Sequence, residues 1–139
     1  MPNGARSGTA TTLSMGGLAR PPCLSRLQKS PGNAFFSPAE PVHAFVAEEH
    51  GHVVGLVHYL FHRSTNRLHD VCYLQDLFTA QPLRGKVIGR LMIQAVYQAA
   101  RAGGSSRVYW TTQVTNHAGR ALYDKVAQHM GFIIYSHEL

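Results

Sequence analysis

Residues 73–103 read YLQDLFTAQPLRGKVIGRLMIQAVYQAARAG, and within them the pattern of a strand changes to that of a long helix. The stretch begins with the pattern of a β-strand, breaks at Gln81-Pro82, and passes through the basic turn Arg84-Gly85-Lys86. Apolar residues then recur at steps of three and four, which predicts a helix with one buried face. The residues of that face are Val87, Ile88, Leu91, Met92, Ala95, Val96 and Ala99. Gly103 and Gly104 follow, as is typical of a helix C-terminus.

The turn between this strand and helix is suited to binding a phosphate or pyrophosphate. A helix N-terminus presents N–H groups without intrahelical partners and the positive end of the helix dipole. Arg84 and Lys86 add positive charge at the same place. The alternative is an ordinary turn with solvated cations, and the turn alone does not decide between them.

The flanking segments predict the fold class. Strand patterns at 43–48 and 53–61 are joined by a tight turn, and a third strand covers 71–79. After the long helix come a strand at 107–112, a helix at 116–130 and a last strand at 132–135. This order predicts a three-layer α/β domain, with a central mixed, mostly antiparallel sheet flanked by helices.

Composition indicates one domain preceded by a different kind of segment. The chain has 139 residues, enough for a single core. Residues 1–38 are rich in Gly, Ser, Thr, Pro and Ala without periodicity, which predicts a disordered or atypical tail before a domain at 39–139. Its arginines and lack of acids also resemble a mitochondrial transit peptide. Two cysteines make no disulfide framework, so we expect a cytoplasmic protein, and no apolar run is long enough to span a membrane.

The positive charge does not predict a nucleic-acid partner. The net charge is +6, but residues 40–139 contain nine basic and seven acidic residues. The excess therefore belongs mostly to the N-terminal segment, and no basic face with interleaved aromatic residues is evident.

Several separated motifs resemble those of the GNAT superfamily of acyl-CoA-dependent N-acetyltransferases, over roughly residues 43–135. The family's pyrophosphate loop reads Arg/Gln-x-x-Gly-x-Gly/Ala; Arg84 and Gly89 match its ends, whereas Val87 stands at the middle glycine. Residues 73–78 look like the corresponding strand of the polyamine and small-amine acetyltransferases. The segment before residue 39 has no clear counterpart of the family's first strand and two helices, so this N-terminus is truncated, replaced or completed by a partner.

The resemblance implies a binding site for acetyl-CoA. The implied residues are Leu77, Phe78, Thr79, Arg84, Gly85, Lys86, Val87, Ile88, Gly89, Arg90 and Asn116. Strand residues 77–79 would pair with the pantetheine arm, and the N–H near Leu77 would polarise the thioester carbonyl. The same strand residues are equally explained as core, Asn116 as a helix N-cap, and Val87 as core of the first helical turn.

Two further residues are implied to move protons. Tyr123, two helical turns after Asn116, would donate a proton to the departing thiolate; alternatively it is a packing tyrosine. Relatives of the polyamine type carry two acids where this chain has Gln75 and Asp76. An amide cannot take a proton, so Asp76 is the candidate base, with substrate holding or a structural cap as alternatives.

The expected activity is transfer of acetyl from acetyl-CoA to a primary amine of a small molecule. A protein lysine is the second acceptor, and a catalytically weakened CoA-binding remnant is the rival class. The nine histidines are an argument for a zinc site, but their spacing matches no recognisable set of zinc ligands, so no metal is expected. A sheet without its usual first strand would expose an edge, which predicts a homo-oligomer.

Overall fold

The computed structural model describes the backbone of residues 12–13 and 23–26, and both backbone and side chains of 42–81 and 87–139. Within these residues six strands form one sheet, in the order β1 to β6. The elements are β1 (Thr12–Leu13), β2 (Cys23–Arg26), β3 (Val42–Glu49), β4 (His52–His62), β5 (Val71–Thr79), α1 (Ile88–Ala102), β6 (Val108–Tyr109) and α2 (His117–Val126). Neighbouring strands are antiparallel except β5 and β6, which are parallel. The predicted fold class, a mixed and mostly antiparallel sheet with helices, is therefore confirmed.

A two-residue turn joins β3 to β4. His50 and Gly51 both have positive φ, 51° and 80°, which gives the turn the twist of the flanking strands. The sequence predicted this turn from Gly51. The hairpin fixes the register in which β4 presents alternate residues to the two faces of the sheet.

The core lies between one face of the sheet and α1. Val57 and Tyr59 of β4 and Cys72 and Leu74 of β5 form it together with the buried face of α1. That face consists of Ile88, Gly89, Met92, Ile93, Ala95, Val96 and Ala100. Leu91 and Ala99 are only half-buried and Val87 is exposed, so the predicted face is correct in period but shifted by part of a turn.

The chain after α2 differs from the prediction. The helix ends at Val126, four residues before the predicted end, and residues 128–139 form no strand. The predicted strand at 132–135 is therefore wrong: Phe132, Ile133, Ile134 and Tyr135 are 68–87% exposed. These residues have high β-propensity, but no described strand pairs with them. A strand needs such a partner for its backbone hydrogen bonds.

The boundary predicted at residue 39 stays a prediction, because most of the chain before Val42 lies outside the described residues. The described backbone there pairs with the sheet. Residues 23–26 of β2 are antiparallel to 45–48 of β3, and β1 in turn pairs with β2.

Candidate active site

The two parallel strands β5 and β6 pair only where they begin. Cys72 lies opposite Val108 and Tyr73 opposite Tyr109, and the Cys72 N–H donates to the Arg107 carbonyl at 2.9 Å. Beyond Tyr73, no described strand pairs with this edge of β5. The two strands therefore leave a gap bordered by the second half of β5.

The N–H of Leu77 points into this gap. Ala80 donates its N–H to Val54 of β4 at 2.9 Å, and alternate residues of a strand direct their N–H groups to opposite sides. Phe78 and Asp76 therefore point their N–H groups toward β4, whereas Leu77 and Thr79 point theirs toward β6.

A register shift in β5 is responsible for this arrangement. His58 pairs with Asp76 and Tyr59 with Leu74, so Gln75 is an extra residue in β5. If the alternation that starts at Cys72 continued regularly through Gln75, the N–H of Asp76 instead of that of Leu77 would point into the gap. The irregularity thus places the predicted polarising N–H on the unpaired side.

The first turn of α1 lies beside the end of β5. A Cβ added to Gly89 would lie 3.1 Å from Leu122 Cδ2 of α2 and 3.9 Å from Thr79 Oγ1. Among the described residues, no side chain caps this helix N-terminus, and its first turn contains no acidic residue. The first N–H groups and the positive end of the dipole are therefore available to an anion near the gap.

The predicted loop residues have different outcomes. Arg84, Gly85 and Lys86 lie outside the described residues. Val87 is the N-cap, with ordinary helical angles of −65° and −9°, and its side chain is 61% exposed. Its interpretation as first-turn core is therefore wrong. The side chain of Ile88 is buried in the core, which leaves only its backbone to a ligand, while Arg90 is exposed.

Asn116 holds the start of α2. Its Oδ1 accepts from the Gly119 N–H at 3.0 Å, and its Nδ2 donates to Thr112 Oγ1 at 2.9 Å. Gly119 permits this cap, since a Cβ there would collide with the Asn116 amide. The N-cap interpretation is thus confirmed, and a contact with pantetheine through the second amide hydrogen stays a prediction.

Tyr123 is half-buried against the core on the α1 side of the sheet. Burial raises its pKa above the ordinary value of 10, so the phenol keeps its proton at neutral pH. Its ring meets Trp110 edge to face at 5.4 Å, and Trp110 also lies 6.5 Å from the Tyr97 ring. Tyr97 donates to the Val126 carbonyl at 2.9 Å, which ties the end of α2 to α1. Sequence reasoning missed Trp110 and Tyr97, which support Tyr123.

Asp76 lies on the opposite face of the sheet from Tyr123. Leu77 packs toward α1, and alternation along β5 directs the neighbouring Asp76 away from it. The Asp76 side chain is 61% exposed and accepts a hydrogen bond from His58 Nδ1 at 3.0 Å. Phe78, on the same face, is also largely exposed. The Asp76 carboxylate and the protonated Tyr123 phenol thus lie on opposite faces of the sheet.

Two of the nine histidines, His58 and His62, have protein partners. His58 bonds Asp76, and His62 bonds the Tyr109 hydroxyl and the Arg63 carbonyl, both at 2.7 Å. Within the described residues, no group of three or more His, Cys, Asp or Glu residues could hold a metal. Cys72 is a free thiol, and burial raises its pKa to about 11. No helix in the described part is long and apolar enough to cross a membrane.

The gap beside β5 and the adjacent N-terminus of α1 define a domain that can hold an extended, anion-bearing ligand along a strand edge. The sequence model of the Acetyltransferase (GNAT) family matches residues 15–128, so the chain belongs to this family.

Individual relatives agree with this assignment. The D-amino-acid N-acetyltransferase HPA3 of Saccharomyces cerevisiae is 37% identical over 87 residues, which cover 63% of this chain and 54% of that protein. This chain thus spans about half the length of that relative. An integron cassette protein from the mobile metagenome of V. cholerae has a TM-score of 0.68 and 26% identity, covering 76% of this chain and 67% of its own. The aminoglycoside N-acetyltransferase AAC(6')-Iy, in complex with CoA, has a TM-score of 0.65 and 17% identity, covering 73% and 78%, and shares the fold.

Proposed function

We propose that this chain transfers an acetyl group from acetyl-CoA to a primary amine of a small molecule. The observation that carries the proposal is the gap between β5 and β6, which has the Leu77 N–H at its edge and, at its end, a helix N-terminus that no described side chain caps. Small amines are favoured because the similar yeast protein is named for D-amino acids.

The described residues fit acetyl-CoA. Its pyrophosphate suits the first N–H groups of α1, because in the described part of the chain that end has neither a side-chain cap nor an acid in its first turn. Its pantetheine arm has amide groups that can pair with the backbone edge of β5, as an added strand would. Bound acetyl-CoA supplies an activated thioester.

Each proton and charge in the reaction then has a residue of the chain assigned to it. Asp76 accepts a proton from the acceptor ammonium, which leaves a neutral amine as the nucleophile. The Leu77 N–H donates to the carbonyl oxygen, where negative charge develops. Tyr123 donates its phenolic proton to the departing sulfur. The second amine proton, lost as the amide forms, restores the tyrosine.

Asp76 has a second role that the same position allows. An exposed carboxylate beside the exposed Phe78 can hold a cationic amine by charge and apolar contact. Loss of the carboxylate raises KM if holding dominates and lowers kcat if proton transfer dominates.

The competing function is a CoA-binding remnant without turnover. Val87 in place of the loop glycine motivates it, and a protein lysine is the alternative acceptor of an active enzyme. A cytoplasmic location and a partnership with neither nucleic acid nor membrane belong to the same proposal, since most of the basic excess lies before residue 40.

Binding and chemistry are tested separately. Acetyl-CoA at 100 times its Kd should stabilise the protein by about 2.7 kcal/mol in thermal unfolding. Tyr123→Phe keeps the ring packed on Trp110 and removes the acid, so kcat should fall by about 10²-fold with the cofactor affinity unchanged. Tyr97→Phe is the matched control: it removes a buried hydroxyl that we assign to structure. Turnover undiminished in Tyr123→Phe would remove Tyr123 as the acid, and absence of acetyl-CoA binding would refute the proposed function.

A further inference from the structure

The only acidic residue of β5 has a histidine partner on the adjacent strand. His58 and Asp76 are directly opposite each other in the β4–β5 register, and the Nδ1 to Oδ2 distance is 3.0 Å. A carboxylate can only accept, so Nδ1 carries the hydrogen and donates. This holds whether the imidazole is neutral or protonated, since Nδ1 can bear a proton in both forms.

The two partners differ in their exposure. The His58 side chain is 13% exposed and the Asp76 side chain 61%. On its other side His58 lies opposite Ala44 of β3, which is buried and small enough to leave room for the ring. The imidazole is therefore held within the sheet surface, while the carboxylate reaches out from it.

An exposed aspartate on a strand would otherwise sample several side-chain conformations. One hydrogen bond to a fixed imidazole selects among them and occupies Oδ2. The other oxygen, Oδ1, can then face the acceptor. The pair also adjoins the extra residue Gln75, whose insertion sets the direction of the neighbouring Leu77 N–H. Proton acceptor and carbonyl-polarising group thus depend on the same short piece of sheet.

We propose that His58 is a positioning residue, which holds the Asp76 carboxylate toward the acceptor amine of the transfer reaction. This inference rests on the proposed function. His58 acts through Asp76: it donates Nδ1–H to Oδ2, and Oδ1 takes the proton from the acceptor ammonium. The proton leaves to solvent from the resulting carboxylic acid once the product has departed.

The experiment measures CoA thiol release by His58→Phe, His58→Asn and Asp76→Asn, and by His58→Phe combined with Asp76→Asn. His58→Phe should lower kcat on the order of 10- to 100-fold, the usual effect of misplacing a reacting group, while acetyl-CoA affinity stays unchanged. His58→Asn keeps an N–H donor near Nδ1 and should recover activity to within about fivefold of wild type. The double variant should lose no more than Asp76→Asn alone, because both changes remove the same function.

His62→Phe is the matched control. It removes an imidazole from the same strand, four residues further on, where the ring bonds Tyr109 instead of an acid. Its kcat should stay within about twofold of wild type. Unfolding midpoints identify any variant that fails to fold; if His58→Phe does, His58→Gln replaces it, because its longer side chain carries the amide past the Nδ1 position and should lose activity where His58→Asn keeps it.

Different results refute the proposed function and the role of His58. A wild-type protein that releases no thiol with any amine refutes the proposed function. An active wild type whose His58→Phe variant is equally active overturns the role of His58. Losses in the two single variants that multiply in the double variant also overturn it, since the residues would then act independently.

Discussion

Replacing Gly55 with alanine should destabilise the domain by about 1–3 kcal/mol, the usual effect of inserting a methyl group into a filled core. A Cβ built on Gly55 would lie 2.7 Å from Met92 Cε, 3.0 Å from Met92 Sδ and 3.1 Å from Ile88 Cγ2. Met92 and Ile88 are 0% and 2% exposed, so neither side chain has solvent to move into. Both lie at the start of α1, and the added methyl therefore pushes that end away from the sheet. Acetyl-CoA should bind several-fold more weakly, because this end is the one assigned to its pyrophosphate.

Urea unfolding followed by circular dichroism measures the first effect, and calorimetric titration with acetyl-CoA measures the second. Gly89→Ala is the matched control for the unfolding measurement alone, since Gly89 belongs to the helix end assigned to acetyl-CoA: its Cβ would lie 3.1 Å from Leu122 Cδ2, but Leu122 is only half-buried and can move. The helix also gains about 1 kcal/mol of propensity from that change, so its net effect should be near zero. In a Met92→Ala background, Gly55→Ala should lose most of its penalty. An unchanged penalty in that background, or none in the wild-type background, would refute the packing argument.

Three other outcomes are expected. Val87→Gly should tighten acetyl-CoA binding by up to about 1 kcal/mol, measured by calorimetry, because it removes an exposed side chain at the N-cap of α1; weaker binding would contradict crowding by Val87. Burial raises the pKa of Cys72 from 9.0 to about 11, so its stabilising contribution is complete below pH 9 and is lost as the pH rises toward 11. Between pH 9 and pH 11 the free energy of unfolding should therefore fall by about 2 kcal/mol more in the wild type than in Cys72→Ala. Parallel pH profiles of the two proteins would exclude the effect. The chain should self-associate at micromolar concentration, and Ile133→Lys, in the exposed run 132–135, should shift sedimentation toward monomer; a monomeric wild type would disprove self-association.

The sequence predicted those parts of the fold that depend on local pattern. The period of α1, the strand at 71–79 and the His50–Gly51 turn follow from residue spacing and from the backbone freedom of glycine. The strand at 132–135 was predicted from composition alone. A strand also needs a neighbouring strand to pair with, and a local pattern does not show whether one is present. The outer strand β6 has only two residues, Val108–Tyr109.

For the candidate site, the sequence identified residues but not their environments. The direction of the Leu77 N–H depends on the extra residue Gln75, and an irregular register leaves no mark on the alternation of apolar residues. The His58–Asp76 contact joins residues 18 apart and depends on that register. The available signal was apolar alternation, which places His58 and Asp76 on the sheet face opposite to Val57 and Leu77 in their respective strands. The Tyr97–Trp110–Tyr123 group brings together α1, the chain leaving β6, and α2, whose packing no single segment encodes.

Release of CoA thiol from acetyl-CoA, followed with a panel of amines, distinguishes an active acetyltransferase from a CoA-binding remnant. The panel contains D- and L-amino acids, polyamines and a lysine-containing peptide, and mass spectrometry identifies any acetylated product. Thiol release should depend on a small primary amine and yield its N-acetyl derivative, with the peptide a poorer acceptor. Binding of acetyl-CoA without acetylation of any amine would contradict the acetyltransferase activity and support the CoA-binding remnant. Acetylation of the peptide alone would contradict the small-molecule acceptor.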